Sequence, residues 1–234
     1  PLSNEYHRTE YNFAAIENHS VFSLDRDLDR PHWKEPWTHH VACLEAYVPG
    51  KPVYMIEGNA LWRRFWQQRT GASLDDLRQA AWACVTAGAS FNWCGHAGEE
   101  SLVAFGPEGL PFYGEDNPYA ESANQLDILS RVMKEELRFY TMNPADHLLA
   151  DHDDKQVWCL SEPGEQYLVF AANGCPFKLQ LEAETYARRQ WMDAKTGVVV
   201  DIHELPALDS GPVFFTPPDT STDWILLIVR YQNL

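Results

Sequence analysis

At 234 residues, with 45% of them hydrophobic, the chain has the length for one large domain or two small ones and ample material for a core. Lys and Arg number 18 against 34 Asp and Glu, and a net charge of -16 repels phosphate backbones and anionic lipid, which argues against nucleic acid or a membrane surface as partner. No stretch approaches the roughly 20 apolar residues of a membrane-spanning helix. The five cysteines, Cys43, Cys84, Cys94, Cys159 and Cys175, are scattered and odd in number. They read as free, buried thiols of a reducing compartment, so the expected location is the cytoplasm, with a lost leader segment as the alternative for a chain opening on Pro1.

In chain order, residues 1–50 are the least regular. Leu2 to Tyr6 reads as the end of a strand, and Phe13–Ile16 and Val21–Leu24 are apolar runs of strand length. Asp25 to His40, with alternating charges, Pro31, Pro36, Trp33 and Trp37, reads as a loop, and His39–Tyr47 as a short helix. The rest of the α/β region is organised around Lys51–Asn59 (Lys-Pro-Val-Tyr-Met-Ile-Glu-Gly-Asn). Val53–Ile56 reads as a strand buried on both faces, opened by Pro52 and stopped by Gly58, so Glu57 arrives where the strand ends. In parallel α/β sheets and barrels that end is where ligands and chemistry are found. The plain alternative is a strand-end acid facing water.

Ser73–Gly88 is the clearest helix: Ser73 and Asp76 form a capping pattern, Leu74, Leu77, Ala81, Cys84 and Val85 share a face, and Gly88 ends it. Ser90–His96 reads as a strand entering a glycine-rich loop, and strand, helix, strand predicts a parallel βαβ unit. A long helix is expected over Asn117–Tyr140. Beyond it, Gln156–Leu160, Gln166–Ala171, Phe177–Leu181, Arg189–Met192, Val198–Ile202, Val213–Phe215 and Trp224–Arg230 read as short strands between turns such as Pro163-Gly164 and Asn173-Gly174. They predict an antiparallel sandwich, with the domain boundary near residue 145: residues 1–145 α/β, residues 146–234 all β.

Two carboxylates stand out as a pair, Glu5 after Asn4 and Glu57 at its strand end. Hydrolysis of a glycosidic bond with retention uses one carboxylic acid to protonate the departing oxygen and one carboxylate to attack the anomeric carbon, about 5–5.5 Å apart. An asparagine beside the acid can hold a sugar hydroxyl. His96 could orient Glu57 or hold a hydroxyl, against the alternative of a satisfied loop histidine, and Trp62, Trp66 and Trp93 could stack on sugar faces or simply pack. His32 with His39-His40 has no recognised metal-ligand spacing, and Asp151-His152-Asp153-Asp154 is most simply a solvated turn able to hold calcium loosely. No P-loop, dinucleotide glycine fingerprint or Gly-x-Ser-x-Gly elbow occurs, and neither metal nor cofactor is expected.

Lys51–Asn59, the helix Leu77–Ala89 and Asn92-Trp93-Cys94-Gly95-His96 resemble the closing part of a clan-A glycoside hydrolase barrel, and within it the apiosidase-like glycosidases. Trp191–Gly197, Phe215–Pro218 and Asp223–Ile228 are similar to the β-sandwich those enzymes carry after the barrel. The resemblance covers residues 51–234 well and the first fifty thinly. It implies a partial (half) TIM barrel of parallel βα units followed by a small antiparallel β-sandwich, and a glycoside hydrolase cleaving a β-linked sugar with retention. By the same resemblance Glu57, ending the seventh barrel strand, is the nucleophile, and Glu5, in the Asn-Glu pair ending the fourth, is the acid/base. Asn4, Trp62, Trp93 and His96 are then substrate-binding, with Ser90–Trp93 as the eighth strand.

A chain starting at the fourth strand lacks the first three and cannot close an eight-stranded barrel by itself. An open half exposes hydrogen-bonding edges and an apolar inner face. The expected remedy is self-association or a second chain completing the barrel, a front-truncated fragment being the other explanation. The rival function is a non-catalytic carbohydrate-binding or assembly protein derived from a glycosidase barrel, which would bind sugar without turnover.

Overall fold

The computed structural model describes residues 14–16, 35–55, 73–91, 120–182, 186, 188–201 and 211–230. By its internal contacts the chain divides into two compact units, Pro1–Cys84 with Ala89–Leu126, and Val85–Gly88 with Asp127–Leu234.

In the first unit β1 (Ala14–Ile16), β2 (Val53–Met55) and β3 (Ala89–Phe91) form a parallel sheet in that order. Helix α1 (Pro36–Ala46) comes before β2, and α2 (Leu74–Thr86) lies between β2 and β3. Parallel neighbours cannot be joined by a tight turn, so a crossover helix at α2 is what the pairing of β2 with β3 demands. Helix α1 starts with Pro36, whose missing N–H costs nothing at a first helical position. It buries His39, Ala42, Cys43 and Ala46, the spacing of one helical face, and packs against β1 and β2.

The capping box at α2 is present as expected. The Ser73 N–H donates to Asp76 Oδ2 (2.6 Å) and the Asp76 N–H to Ser73 Oγ (3.2 Å), while Asp75 and Asp76 favour the positive end of the helix dipole. Gly88, at φ 76°, ends the turn after α2 in the left-handed region. Every residue from Ala80 to Ala87 is buried. One guanidinium is buried too: Arg78 pairs with Asp75 (2.8 Å) and donates to Gln125 Oε1 (2.9 Å), fastening α2 to the helix that holds Gln125.

That helix corrects an expectation. In place of one helix over Asn117–Tyr140, α3 covers Ala120–Arg131, a π-helical turn comes next over Val132–Glu136, and Leu137 is extended. The cause lies far along the chain at Gln166, which is fully buried. Its Oε1 accepts from the Arg138 N–H (3.0 Å) and its Nε2 donates to the Arg138 carbonyl (3.0 Å), a backbone pairing that a continuing helix could not make. The Arg138 guanidinium also meets Glu162 (3.2 Å) and Glu165 (3.4 Å), and Arg188 pairs with Glu136.

The second unit carries two antiparallel sheets. The strands are β4 (Asn143–Pro144), β5 (Leu149–Ala150), β6 (Val157–Glu162), β7 (Gln166–Ala171), β8 (Phe177–Leu181), β9 (Arg188–Asp193), β10 (Val199–Asp201), β11 (Gly211–Phe215) and β12 (Trp224–Val229). One sheet runs β10-β9-β12-β7-β6-β4, the other β11-β8-β5. Tyr167, Val169, Trp191, Leu226 and Ile228 of the larger sheet share a core with Phe177, Leu179 and Phe215 of the smaller. Between the sheets the Phe177 ring lies 6.0 Å from Trp191, while Phe215 is 5.7 Å from Phe177 and 6.4 Å from Trp191. Alternate residues of β7 and β12 do not reach solvent either, so these two strands are buried on both faces.

After β7 the chain turns through Asn173 (φ 52°) and Gly174 (φ 61°), and the buried Asp223 accepts the Asn173 N–H through Oδ1 (2.8 Å). A Cβ on Gly174 would fall 2.0 Å from the Asp219 carbonyl oxygen, a backbone atom that cannot swing aside. Gly50 shares the left-handed conformation (φ 78°) with nothing within 4 Å. Gly174→Ala is therefore expected to destabilise the protein by about 3 kcal/mol or more, against about 1 kcal/mol for Gly50→Ala. Urea titration of both variants checks this, and equal losses would contradict the clash.

Candidate functional site

Because β1, β2 and β3 are parallel and in register, their carboxyl-terminal residues Ile16, Met55 and Phe91 form one row, and the chain leaves all three on the same edge of the sheet. Glu57 comes two positions after Met55, and Trp93 two positions after Phe91. Both lie outside the described residues, as do Glu5, Asn4, Trp62 and His96. What the structure brings together is the set of strands that lead to Glu57 and Trp93.

The sheet behind that edge has two unlike faces. Val53 and Met55 are buried, but Tyr54 between them is 44% exposed, which corrects the expectation of a strand buried on both faces. Side chains alternate along a strand, and α1 packs against β1 and β2. Tyr54 stands opposite Ala15 and Ser90 in the register, and the exposed Ser90 donates its hydroxyl to the Val53 carbonyl (3.4 Å). A row of this kind faces the interior in a closed parallel barrel. Tyr54 was legible in the sequence only as one of four apolar letters.

The buried face carries a polar contact between α1 and α2: His40 Nδ1 lies 2.8 Å from the Ala83 carbonyl oxygen. Burial, then the Cys43 neighbour, pushes the Cys84 thiol well above its ordinary range. His39 and His40 are both core residues of α1. No group of three His, Cys, Asp or Glu side chains placed to hold a metal ion occurs among the described residues.

The acidic run after β5 is engaged in turns. Asp151 bonds Lys178 Nζ (2.6 Å), and that hydrogen bond, with the ammonium charge, holds its carboxyl below the usual range. Asp153 accepts from the Lys155 N–H (2.9 Å) and from Gln156 Nε2 (2.9 Å). Asp219 is likewise lowered, first by the Ser221 hydroxyl (2.7 Å) and then by its N–H (2.8 Å), which fixes the loop opposite Gly174. These carboxylates are exposed and structural.

No protein-family model and no curated protein sequence matches the chain. Solved structures do. One described as a glycoside hydrolase matches over 84% of this chain and 46% of its own, with 18% identity and a TM-score of 0.54. A glycoside hydrolase family 5 protein from Bacteroides vulgatus matches over 98% of this chain and 53% of its own, with 17% identity and a TM-score of 0.60. The chain thus spans about half the length of the solved structures it matches. At these identities the likeness is one of fold, and the fold is glycoside-hydrolase-like.

Proposed function

We propose that the chain is the closing part of a retaining glycoside hydrolase that cleaves a β-linked sugar. The observation that carries this reading is the likeness in fold to two glycoside hydrolases, joined to a parallel sheet whose middle strand leads directly to Glu57. In this reading β2 and β3 are the seventh and eighth strands of a (β/α)8 barrel of apiosidase-like type, followed in sequence by the antiparallel sandwich. Glu57 attacks the anomeric carbon while Glu5 protonates the departing oxygen. Glu5 then takes a proton from the water that releases the sugar from Glu57. Asn4 and His96 hold sugar hydroxyls, and Trp62 and Trp93 supply flat apolar surfaces for the sugar ring.

The two acids rest on different support. Glu57 lies just past a strand seated between two parallel neighbours. Glu5 rests on the Asn4-Glu5 pair alone, and only residues 6–13 separate it from β1, fewer than a further strand and crossover helix need. With β2 as the seventh strand, β1 holds the place of the sixth, and Glu5 comes from the segment just before it.

The barrel is completed by association, either of two copies or with a second chain. Such a partner would cover the exposed Tyr54. The non-catalytic alternative predicts sugar binding that does not need Glu57.

Glu57→Gln is expected to abolish turnover of aryl β-glycosides, a fall of about 10³-fold or more. Glu5→Gln should fall less on substrates whose leaving group needs no proton and by about 10²–10⁴-fold on those that do. Turnover unchanged by Glu57→Gln, in a chromogenic glycoside screen, removes the nucleophile. Sedimentation velocity on the purified chain is expected to show a dimer that tightens with salt, because each copy carries a net charge of -16. A monomer at every salt concentration contradicts self-association.

A further inference from the structure

The smaller sheet of the second unit turns one face to the larger sheet and the other to solvent. Val213 and Phe215 of β11 and Leu179 of β8 lie on the inner side, so Pro212, Phe214, Lys178 and Gln180 lie on the outer side. The register sets them in two rows. Phe214 stands opposite Lys178, which stands opposite Ala150 of β5, and Pro212 stands opposite Gln180. Phe214 is 58% exposed, and Pro212, Gln180 and Ala150 are exposed with it. Lys178 Nζ bonds Asp151 (2.6 Å), so the one charge within these rows is neutralised. Gln180 Nε2 makes a long bond to the Leu181 carbonyl (3.3 Å), which leaves an amide with donor and acceptor capacity on the same face as the ring.

We infer that this outer face is a binding surface for a neutral glycan chain, with Phe214 as the ring on which a sugar stacks and Gln180 as the amide that holds its hydroxyls. A sugar carries apolar C–H groups on its flat faces and hydroxyls around its rim. It therefore needs a flat apolar ring with a hydrogen-bonding group one side chain away. Phe214 and Gln180 are diagonal neighbours on paired strands, about 7–8 Å apart, which lets one sugar ring touch both.

The size and charge of the face select this occupant. A stable protein interface takes roughly 20–30 residues a side, far more than two rows across three strands present, so a second copy finds too little to bury. A net charge of -16 repels an anionic glycan, and a lysine already paired with Asp151 offers it no compensating attraction. An uncharged polymer meets neither obstacle. A flat sheet face also suits an extended chain that rests one or two sugars on it. The surface contains no residue placed in the proposed chemistry, so the inference holds whether or not Glu57 attacks sugar.

The test is native electrophoresis of the full chain through gels containing hydroxyethylcellulose, galactomannan, laminarin or arabinoxylan, with polygalacturonate as the anionic comparison and a plain gel as reference. Retardation by at least one neutral polymer is expected, and none by polygalacturonate. Phe214→Ala should weaken binding about tenfold or more and Gln180→Ala about threefold or more, while Phe214→Trp should keep it. Tyr140→Ala, which removes a ring 85% exposed elsewhere in the unit, should leave it unchanged. Turnover of small aryl β-glycosides should be the same in parent and variants, so loss of turnover bears on Glu57 and loss of retardation on Phe214. The proposal is overturned by no retardation in any neutral gel, or by retardation equal in the parent, Phe214→Ala and Gln180→Ala. It is overturned too by sedimentation velocity in which Phe214→Ala dissolves a dimer and no glycan binds.

Discussion

Parallel pairing of three short strands is the constraint on which the rest of the first unit depends. Strands running the same way cannot be joined by a hairpin, so a helix must carry the chain back from β2 to β3, and α2 does so with a capped start and a glycine after its end. Val53 and Met55 are buried on the strand that α1 packs against, and Tyr54 between them is exposed. The same direction of travel sets the three strand exits on one edge, and chemistry in such sheets gathers at that edge because only there do loops from several strands converge. Three residues per strand give few hydrogen bonds, so the position of that edge is held mainly by packing of α1 and α2 and by the buried Arg78 with its partners.

The second unit is held differently. Its cooperativity comes from β7 and β12, which are apolar on both faces and pair with each other over their full length. Two of its buried polar side chains serve backbone groups. Gln166 uses one amide to satisfy both backbone groups of Arg138, and Asp223 caps the Asn173 turn. Removing either would leave buried donors or acceptors unmatched, which costs more than the bond itself contributes.

The range of the interactions that decide each element determines how much of the fold is legible in the sequence. The capping box of α2 is local, Ser73 to Asp76, and is readable. Strands β7 and β8 have the bounds expected of them because Pro163-Gly164 and Asn173-Gly174 mark the turns. The end of α3 is not readable, since the residue that takes the backbone of Arg138 is 28 positions away. A short apolar run does not reveal whether one face or two will be covered, and so the exposure of Tyr54 runs against expectation. Of the candidate site, the strand that leads to Glu57 is legible, because Pro52 and Gly58 bracket it. The spatial relation of Glu57 to Glu5, Asn4, Trp62, Trp93 and His96 depends on residues outside those described, and local pattern carries no signal for such a distance.

The central claim is that Glu57 forms a covalent bond to sugar, and chemical trapping addresses it most directly. Incubating the chain with a panel of activated 2-deoxy-2-fluoro-β-glycosides slows breakdown of a glycosyl-enzyme intermediate enough for peptide mapping by mass spectrometry. The account predicts one added fluorosugar on the peptide containing Glu57. Turnover of the parent glycosides with the label on another residue, or with no residue labelled, would contradict it.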